Sequence, residues 1–187
     1  SALTPVSLSL ELRILFLGSL SPEKGPLDAL AVLAGLTSAM PARLRMAGEG
    51  RLRDAVLARA AELGVAGSLE LVEPEHDVLP LLAWADVLVI TSRSEGLPGC
   101  ALEAAGAGIP TVAYAVGGTG EAVVDGATGM LITPGDVTAF VAALSAIGAN
   151  PMERARMGRA ARELFRERFR LDTAADRYDE ILLGLLT

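Results

Sequence analysis

One cysteine, one histidine and one lysine are all that the 187-residue sequence contains of three chemically useful residue types. With Cys100 alone, no disulfide can form within the chain, and a reducing compartment, the cytoplasm, is the expectation. With one histidine and one cysteine, the usual zinc ligand sets cannot be assembled, so no metal is expected. Aromatic residues are scarce at 4% against a hydrophobic share of 51%, which leaves Ala, Val, Leu and Ile to build the core. Such small aliphatics suit helices laid on a mostly parallel sheet. Positive charge is short as well: 16 basic residues face 23 acidic ones, for a net charge of −7. That balance argues against a nucleic-acid partner. It leaves room for a small anion held by a local cluster of donors. No transmembrane segment is expected, because the longest apolar stretch, Val78 to Ile90, is broken by Pro80 and Asp86 and is too short for a bilayer. No signal peptide is visible.

What the chain does have is glycine, 20 in all, gathered between apolar segments. A tail from Ser1 to Ser9 precedes a first buried strand, Leu12 to Leu17. Further strands are predicted at Arg43–Ala47, Leu69–Val72, Val87–Ile90, Thr111–Tyr114 and Met130–Ile132. Helices are predicted between them at Leu27–Ala39, Leu52–Leu63, Asp77–Ala85, Pro98–Ala107 and Gly120–Val124, then at Val137–Ile147 behind an Asp136 cap. Met152–Phe169 and Leu171–Leu186 complete the series, the last with a stripe at Tyr178, Ile181, Leu182 and Leu185. Strand and helix alternate with short connections, which implies right-handed crossovers and a doubly wound, mostly parallel six-stranded α/β sheet with helices on both faces. Ligands of such sheets bind beyond the carboxyl ends of the strands, so the loops after the first and fourth strands matter most.

The fourth of these strands leads into Ser92-Arg93-Ser94-Glu95-Gly96-Leu97-Pro98-Gly99-Cys100-Ala101-Leu102-Glu103. Glu95 lies in the loop and Glu103 about one to two turns inside the next helix. Carboxylates accept paired hydrogen bonds from vicinal diols, and the free amides between them, from Gly96 to Cys100, suit a phosphate. Taken alone, the spacing is matched equally well by a first-turn acid and a solvated helix residue. Lys24, in Gly18-Ser19-Leu20-Ser21-Pro22-Glu23-Lys24-Gly25 after the first strand, can reach a diphosphate, or be an ordinary loop lysine. Gly117-Gly118 allows amides to approach a ligand, or merely makes a tight turn. Gly48-Glu49-Gly50 is only a fragment of a dinucleotide fingerprint and follows the second strand, so a dehydrogenase is poorly supported. His76, in an acidic loop, reads as a surface residue. The seven arginines from Arg154 to Arg170 interleave with Glu153, Glu163 and Glu167 and read as the solvated face of an amphipathic helix.

From Ser92 through Glu103, then Ala104 to Val112, Val116-Gly117-Gly118 with Glu121, Asp125 to Gly129 and Pro134-Gly135-Asp136, the sequence resembles the donor-binding half of the retaining family 4 glycosyltransferases of GT-B fold. The resemblance implies a nucleotide-sugar-binding domain over residues 10–170 and roles for particular residues. Glu103 would hold the ribose hydroxyls and Glu95 hydroxyls of the transferred sugar. The segment Gly96, Leu97, Pro98 and Gly99 would cover sugar and distal phosphate. Lys24 would neutralise the diphosphate, with Gly18 and Ser19 in the loop beneath it. Catalytic roles fall to Glu95 and Lys24; the donor would be a UDP-, GDP- or ADP-sugar, with no cofactor.

Two positions depart from the family. Ser19 stands where an arginine usually follows the first glycine, and Glu73 where glycine is favoured. Losing the arginine removes a contact worth about 1.5–3 kcal/mol. The resemblance further implies an N-terminal acceptor domain beyond this chain, an inactive half when the chain stands alone, and residues 171–187 reaching toward that domain. Membrane association would then depend on the other domain. The alternatives are a nucleotide-sugar-binding module without catalysis and a GT-B-type epimerase.

Overall fold

The computed structural model describes residues 11–73 and 77–169. The tail 1–9, His76 and the helix expected over 171–187 lie outside the described residues.

Six parallel strands form one sheet: β1 (Leu12–Leu17), β2 (Ala42–Ala47), β3 (Leu69–Val72), β4 (Val87–Ile90), β5 (Thr111–Tyr114) and β6 (Gly129–Ile132), in the order β3-β2-β1-β4-β5-β6. Among the described residues seven α-helices accompany them: α1 (Pro26–Thr37), α2 (Arg53–Glu62), α3 (Leu79–Trp84), α4 (Gly99–Ala107), α5 (Thr119–Ala122), α6 (Val137–Ala149) and α7 (Pro151–Arg168). The expected doubly wound sheet is therefore present, and every pairing in it is parallel.

Burial follows strand position. The inner strands β4 and β5 are buried at all four residues, while the edge strand β3 is half-buried throughout. Along β1, Leu12, Ile14 and Phe16 point into a core shared with Leu30, Leu33 and Leu36 of α1 and Phe140 and Leu144 of α6. Leu15 points the other way, to Leu81 and Leu82 of α3 and Ala101 and Ala104 of α4. This period of two, with both faces covered, is what a parallel sheet between helices demands. Truncating a fully buried residue such as Leu30 costs about 2–5 kcal/mol.

Helix ends carry their own instructions. Asp136 Oδ1 accepts from the Ala139 N–H at 2.9 Å and starts α6, as expected. Asn150 Oδ1 does the same for the Glu153 N–H at 3.1 Å, with Pro151 opening α7. Helix α4 stops at Gly108, whose φ is +77°, and the Arg162 guanidinium donates to the Gly106 and Ala107 carbonyls at 3.1 and 2.9 Å. The arginines of α7 are thus partly occupied with the protein itself: Arg154 reaches Asp86, and Arg156 binds Glu153 and the Gly126 carbonyl. Among the described residues no helix is long and apolar enough to cross a membrane.

Candidate functional site

Strand order reverses between β1 and β4, which are neighbours though far apart in sequence. Their carboxyl-terminal loops therefore flank the crevice where ligands of such sheets are held. The two loops are tied together: the Arg93 N–H donates to the Glu23 carbonyl and the Thr91 hydroxyl to the Gly25 carbonyl, each at 2.8 Å.

Across that junction Lys24 Nζ donates to Glu95 Oε1 at 2.8 Å and to Oε2 at 2.9 Å. The glutamate side chain is only 8% exposed, whereas the lysine side chain keeps 35%. The aliphatic stem of Lys24 lies over Gly18, where a Cβ would stand 3.7 Å from its Cγ. Glu95 is fixed from behind by the Gly118 N–H, which donates to its carbonyl at 3.2 Å. Gly117 takes a left-handed φ of +48°, and a Cβ on it would collide with that same carbonyl oxygen. The close approach that Gly117 and Gly118 permit is thus to the Glu95 loop, which they buttress, a packing role that the bare sequence does not separate from ligand contact.

Helix α4 begins one residue later than expected. Pro98 is its N-cap in extended conformation, not its first residue, because ψ there is 108°. The Ala101 N–H of α4 already donates to the Pro98 carbonyl at 3.1 Å, which leaves the Gly99 and Cys100 amides as the first-turn donors without an intrahelical acceptor. A Cβ built on Gly96 or Gly99 would meet nothing within 4 Å. That side of the loop is open to a ligand, and Leu97 beside it is exposed. The Cys100 thiol is pushed up to about 11, chiefly by burial, then by the negative charges of Glu95 and Glu103, with Lys24 opposing. Both carboxylates therefore flank the start of α4.

Glu103, the fifth residue of α4, is exposed and lies in the wall of a groove of about 760 Å³ with Val78, Leu82, Leu102 and Phe165. A second cavity of about 290 Å³ is lined by Gly18, Ser19, Gly48, Glu49 and Leu81, and also by Val78. Val78 lines both, so the cavity at Gly18 and Ser19 adjoins the groove at Glu103 across that side chain. Ser19 is exposed, with its hydroxyl 3.2 Å from that of Ser21.

Of the residues that the sequence singles out, Gly18, Lys24 and Glu95 come into contact, and Gly96 to Gly99 adjoin them. Glu103 does not share their ion pair. The wall formed by Val78, Leu81 and Leu82 is not recognised from the sequence, where these residues look like ordinary core. Gly48 and Gly50 belong here too. A Cβ on Gly48 would strike the Gly18 carbonyl oxygen, and one on Gly50 would sit 2.5 Å from that of Leu20. Their signal, two glycines after a strand, is visible but belongs to loop-on-loop packing.

A family model described as Glycosyl transferases group 1 matches residues 9–164. A glycogen synthase of Mycobacterium tuberculosis is 36% identical over 175 residues, covering 92% of this chain and 42% of that protein. A D-inositol 3-phosphate glycosyltransferase of Thermomonospora curvata is 35% identical over 185 residues, with 91% and 42% covered. The chain spans less than half the length of these relatives. Among solved structures, Anabaena HepE in complex with UDP superposes with a TM-score of 0.86 at 23% identity, over 93% of this chain and 49% of that one. The C-terminal domain of a glycosyl transferase group 1 family protein from Francisella tularensis gives 0.78 at 18% identity, over 86% and 87%. At these identities the structures speak for the fold.

Proposed function

Because the chain belongs to the glycosyl transferases of group 1, we propose that it is the donor-binding domain of a retaining family 4 enzyme. In this reading a UDP-, GDP- or ADP-sugar lies across the carboxyl ends of β1 and β4, without a metal. Lys24 and the N–H groups of Gly96, Leu97 and Gly99 receive the diphosphate above Gly18 and Ser19. Glu95 accepts hydroxyls of the sugar to be transferred, and Glu103 those of the ribose.

The observation that carries the reading is the contact of Lys24 with both Glu95 oxygens, at 2.8 and 2.9 Å, beside the start of α4. A cation, a carboxylate and a helix N-terminus converge on one open spot, as a polyol joined to a diphosphate requires. When the bond from the anomeric carbon to the phosphate oxygen breaks, its electron pair leaves with the diphosphate. In this reading the Lys24 ammonium and the α4 amides stabilise that charge. The acceptor hydroxyl, which forms the new bond to the same carbon, is assigned to a further domain, consistent with the 42% coverage of the relatives.

The test is calorimetry with nucleosides, nucleoside diphosphates and their sugars. Diphosphates or their sugars are expected to bind at least about tenfold tighter than the matching nucleoside, a difference of about 1.4 kcal/mol. Equal affinity for nucleoside and diphosphate would reject the reading. Glu103→Ala is expected to weaken nucleotide binding by about 1–3 kcal/mol with little change in thermal stability, since the residue is exposed on its helix. A second reading, a binding module without catalysis, has Ser19 in its favour, uncharged and exposed where the family resemblance implies an arginine.

A further inference from the structure

We propose that Glu95 makes the site prefer sugar-bearing diphosphates over bare ones, by holding Lys24 in a neutral pair that only a polyol can open without loss. The inference rests on the donor-site reading above and assigns that site a selectivity the reading does not contain.

An ammonium has three N–H donors. Two of those on Lys24 are engaged by the two Glu95 oxygens at 2.8 and 2.9 Å, which leaves one for an incoming anion. A bare diphosphate arriving at Lys24 therefore meets a single free donor with a carboxylate directly behind it. That carboxylate belongs to a side chain only 8% exposed, so solvent screens it poorly. Two outcomes are open to the bare anion. It can share Lys24 with Glu95 and bear the repulsion of a second negative charge, or it can draw Lys24 away and leave a buried carboxylate without its cation. Neither is favourable.

A diphosphate that carries a sugar has a third course. Its hydroxyls donate to the Glu95 oxygens as Lys24 releases them, so the ammonium turns to the phosphates while the carboxylate stays satisfied. The loop can support this exchange because Glu95 is anchored through its backbone: Gly118 holds its carbonyl and Gly117 packs against it. The side chain of Lys24, more exposed than its partner, is the one free to move. The amides at the start of α4 serve any phosphate alike, so they supply affinity and not this distinction. Run backwards, the same exchange loosens the diphosphate once its sugar has gone.

The experiment is a calorimetric titration of the chain and its Glu95→Gln variant with UDP and UDP-glucose, GDP and GDP-mannose, and ADP and ADP-glucose. The unsubstituted chain is expected to hold at least one sugar-bearing form about fivefold or more tighter than its bare counterpart. In Glu95→Gln the bare diphosphate is expected to bind about three- to tenfold tighter, and the preference to vanish. Thermal melts check that the variant folds. Should it not, the unsubstituted chain is titrated with deoxy-sugar analogues of the preferred donor, each lacking one hydroxyl. At least one is expected to bind no better than the bare diphosphate; if every analogue keeps the full preference, the proposal fails. A Glu95→Gln variant that holds the bare diphosphate no tighter also overturns it. Equal affinity of the unsubstituted chain for bare and sugar-bearing forms overturns the selectivity while leaving the diphosphate site standing. No binding of any of the six compounds ends the donor-site reading and this inference together.

Discussion

Gly25 presses its α-carbon against the main chain of Thr91, and Thr91 returns its hydroxyl to the Gly25 carbonyl at 2.8 Å. The residue after Lys24 is thereby locked to the residue after β4, and the lysine is delivered to Glu95 by backbone geometry. Gly25 also has a φ of +65°, in the left-handed region. Gly25→Ala is therefore expected to cost about 2–4 kcal/mol, through the unfavourable φ and the collision with the Thr91 carbonyl. Chemical denaturation measures it. A variant within about 0.5 kcal/mol of the parent would mean that the loops part easily and that the lock is weak.

The Lys24–Glu95 pair is asymmetric in exposure, and its two members should differ on removal. Lys24→Met strands a carboxylate whose side chain is 8% exposed, at a cost of about 1–3 kcal/mol. Glu95→Gln leaves Lys24 able to turn to water, at a cost of about 0–1 kcal/mol. The double variant should recover most of the Lys24→Met loss. Denaturation of all three closes the cycle; additive losses would show that the pair is not coupled.

Ser19 is exposed and lines the smaller cavity, near which the phosphates are proposed to lie. Ser19→Arg is expected to tighten nucleoside diphosphate binding by about 1.5–3 kcal/mol, the worth of one hydrogen bond to a charged group. The gain should shrink with added salt, because a charge at the mouth of a cleft is screened. Unchanged affinity at low salt would mean that another group already fills the place. The charge of Arg93 is directed in part at Glu23.

The strands are the most legible part of the sequence. Leu12–Leu17, Val87–Ile90 and Thr111–Tyr114 agree with the structure to the residue, because strands covered on both faces are written as largely apolar runs, with Arg13 the one charged residue among them. Helix boundaries drift. Helix α1 begins at Pro26 and ends at Thr37, not at Leu27 and Ala39, since Ala and Leu favour a helix without marking its ends. In the site, Glu95 and Glu103 stand out through their shared segment. The pairing of Glu95 with Lys24 does not, because it depends on β1 and β4 becoming neighbours, a property of the sheet order. Glycine is legible as a conformational need but not as to its partner. The oxygens that Gly48 and Gly117 approach belong to other loops, and no local pattern names them.

Cys100 sits at the second position of α4, where a helix N-terminus would ordinarily favour a thiolate. Burial and the two neighbouring glutamates outweigh that effect and push the thiol up to about 11. At pH 8 only about one thiol in a thousand is then ionised, so iodoacetamide is expected to react far more slowly with the folded chain than with the urea-unfolded one. Comparable rates would show that the thiol is open and its environment polar. Raising the pH to 10 should speed the folded reaction about a hundredfold, as long as the fold persists.

At the end of the sheet opposite the site, Asp86 binds β1 to β4. It accepts from the Arg13 backbone N–H at 3.0 Å and from the guanidinium at 3.1 Å through both oxygens, while Arg154 of α7 stands at 3.5 Å. Burial alone would raise its pKa. The hydrogen bonds from Arg13 and the charges of Arg154 and Arg13 outweigh burial and hold the carboxyl below the usual carboxylate range. The folded chain thus protonates Asp86 less readily than the unfolded chain, whose value lies near 4. It follows that the stabilisation is complete above about pH 4–5 and is lost as the pH falls through the depressed folded value. Asp86→Asn is expected to cost about 1–3 kcal/mol at pH 7, discounted for the partial exposure of Arg13, and progressively less in acid. Denaturation midpoints from pH 7 down to 2.5 should therefore converge for the two proteins. Parallel curves would mean that Asp86 titrates normally in the fold. Nucleotide affinity of the variant should match that of the parent at neutral pH, because the contact lies at the amino ends of the strands and the proposed donor site at their carboxyl ends.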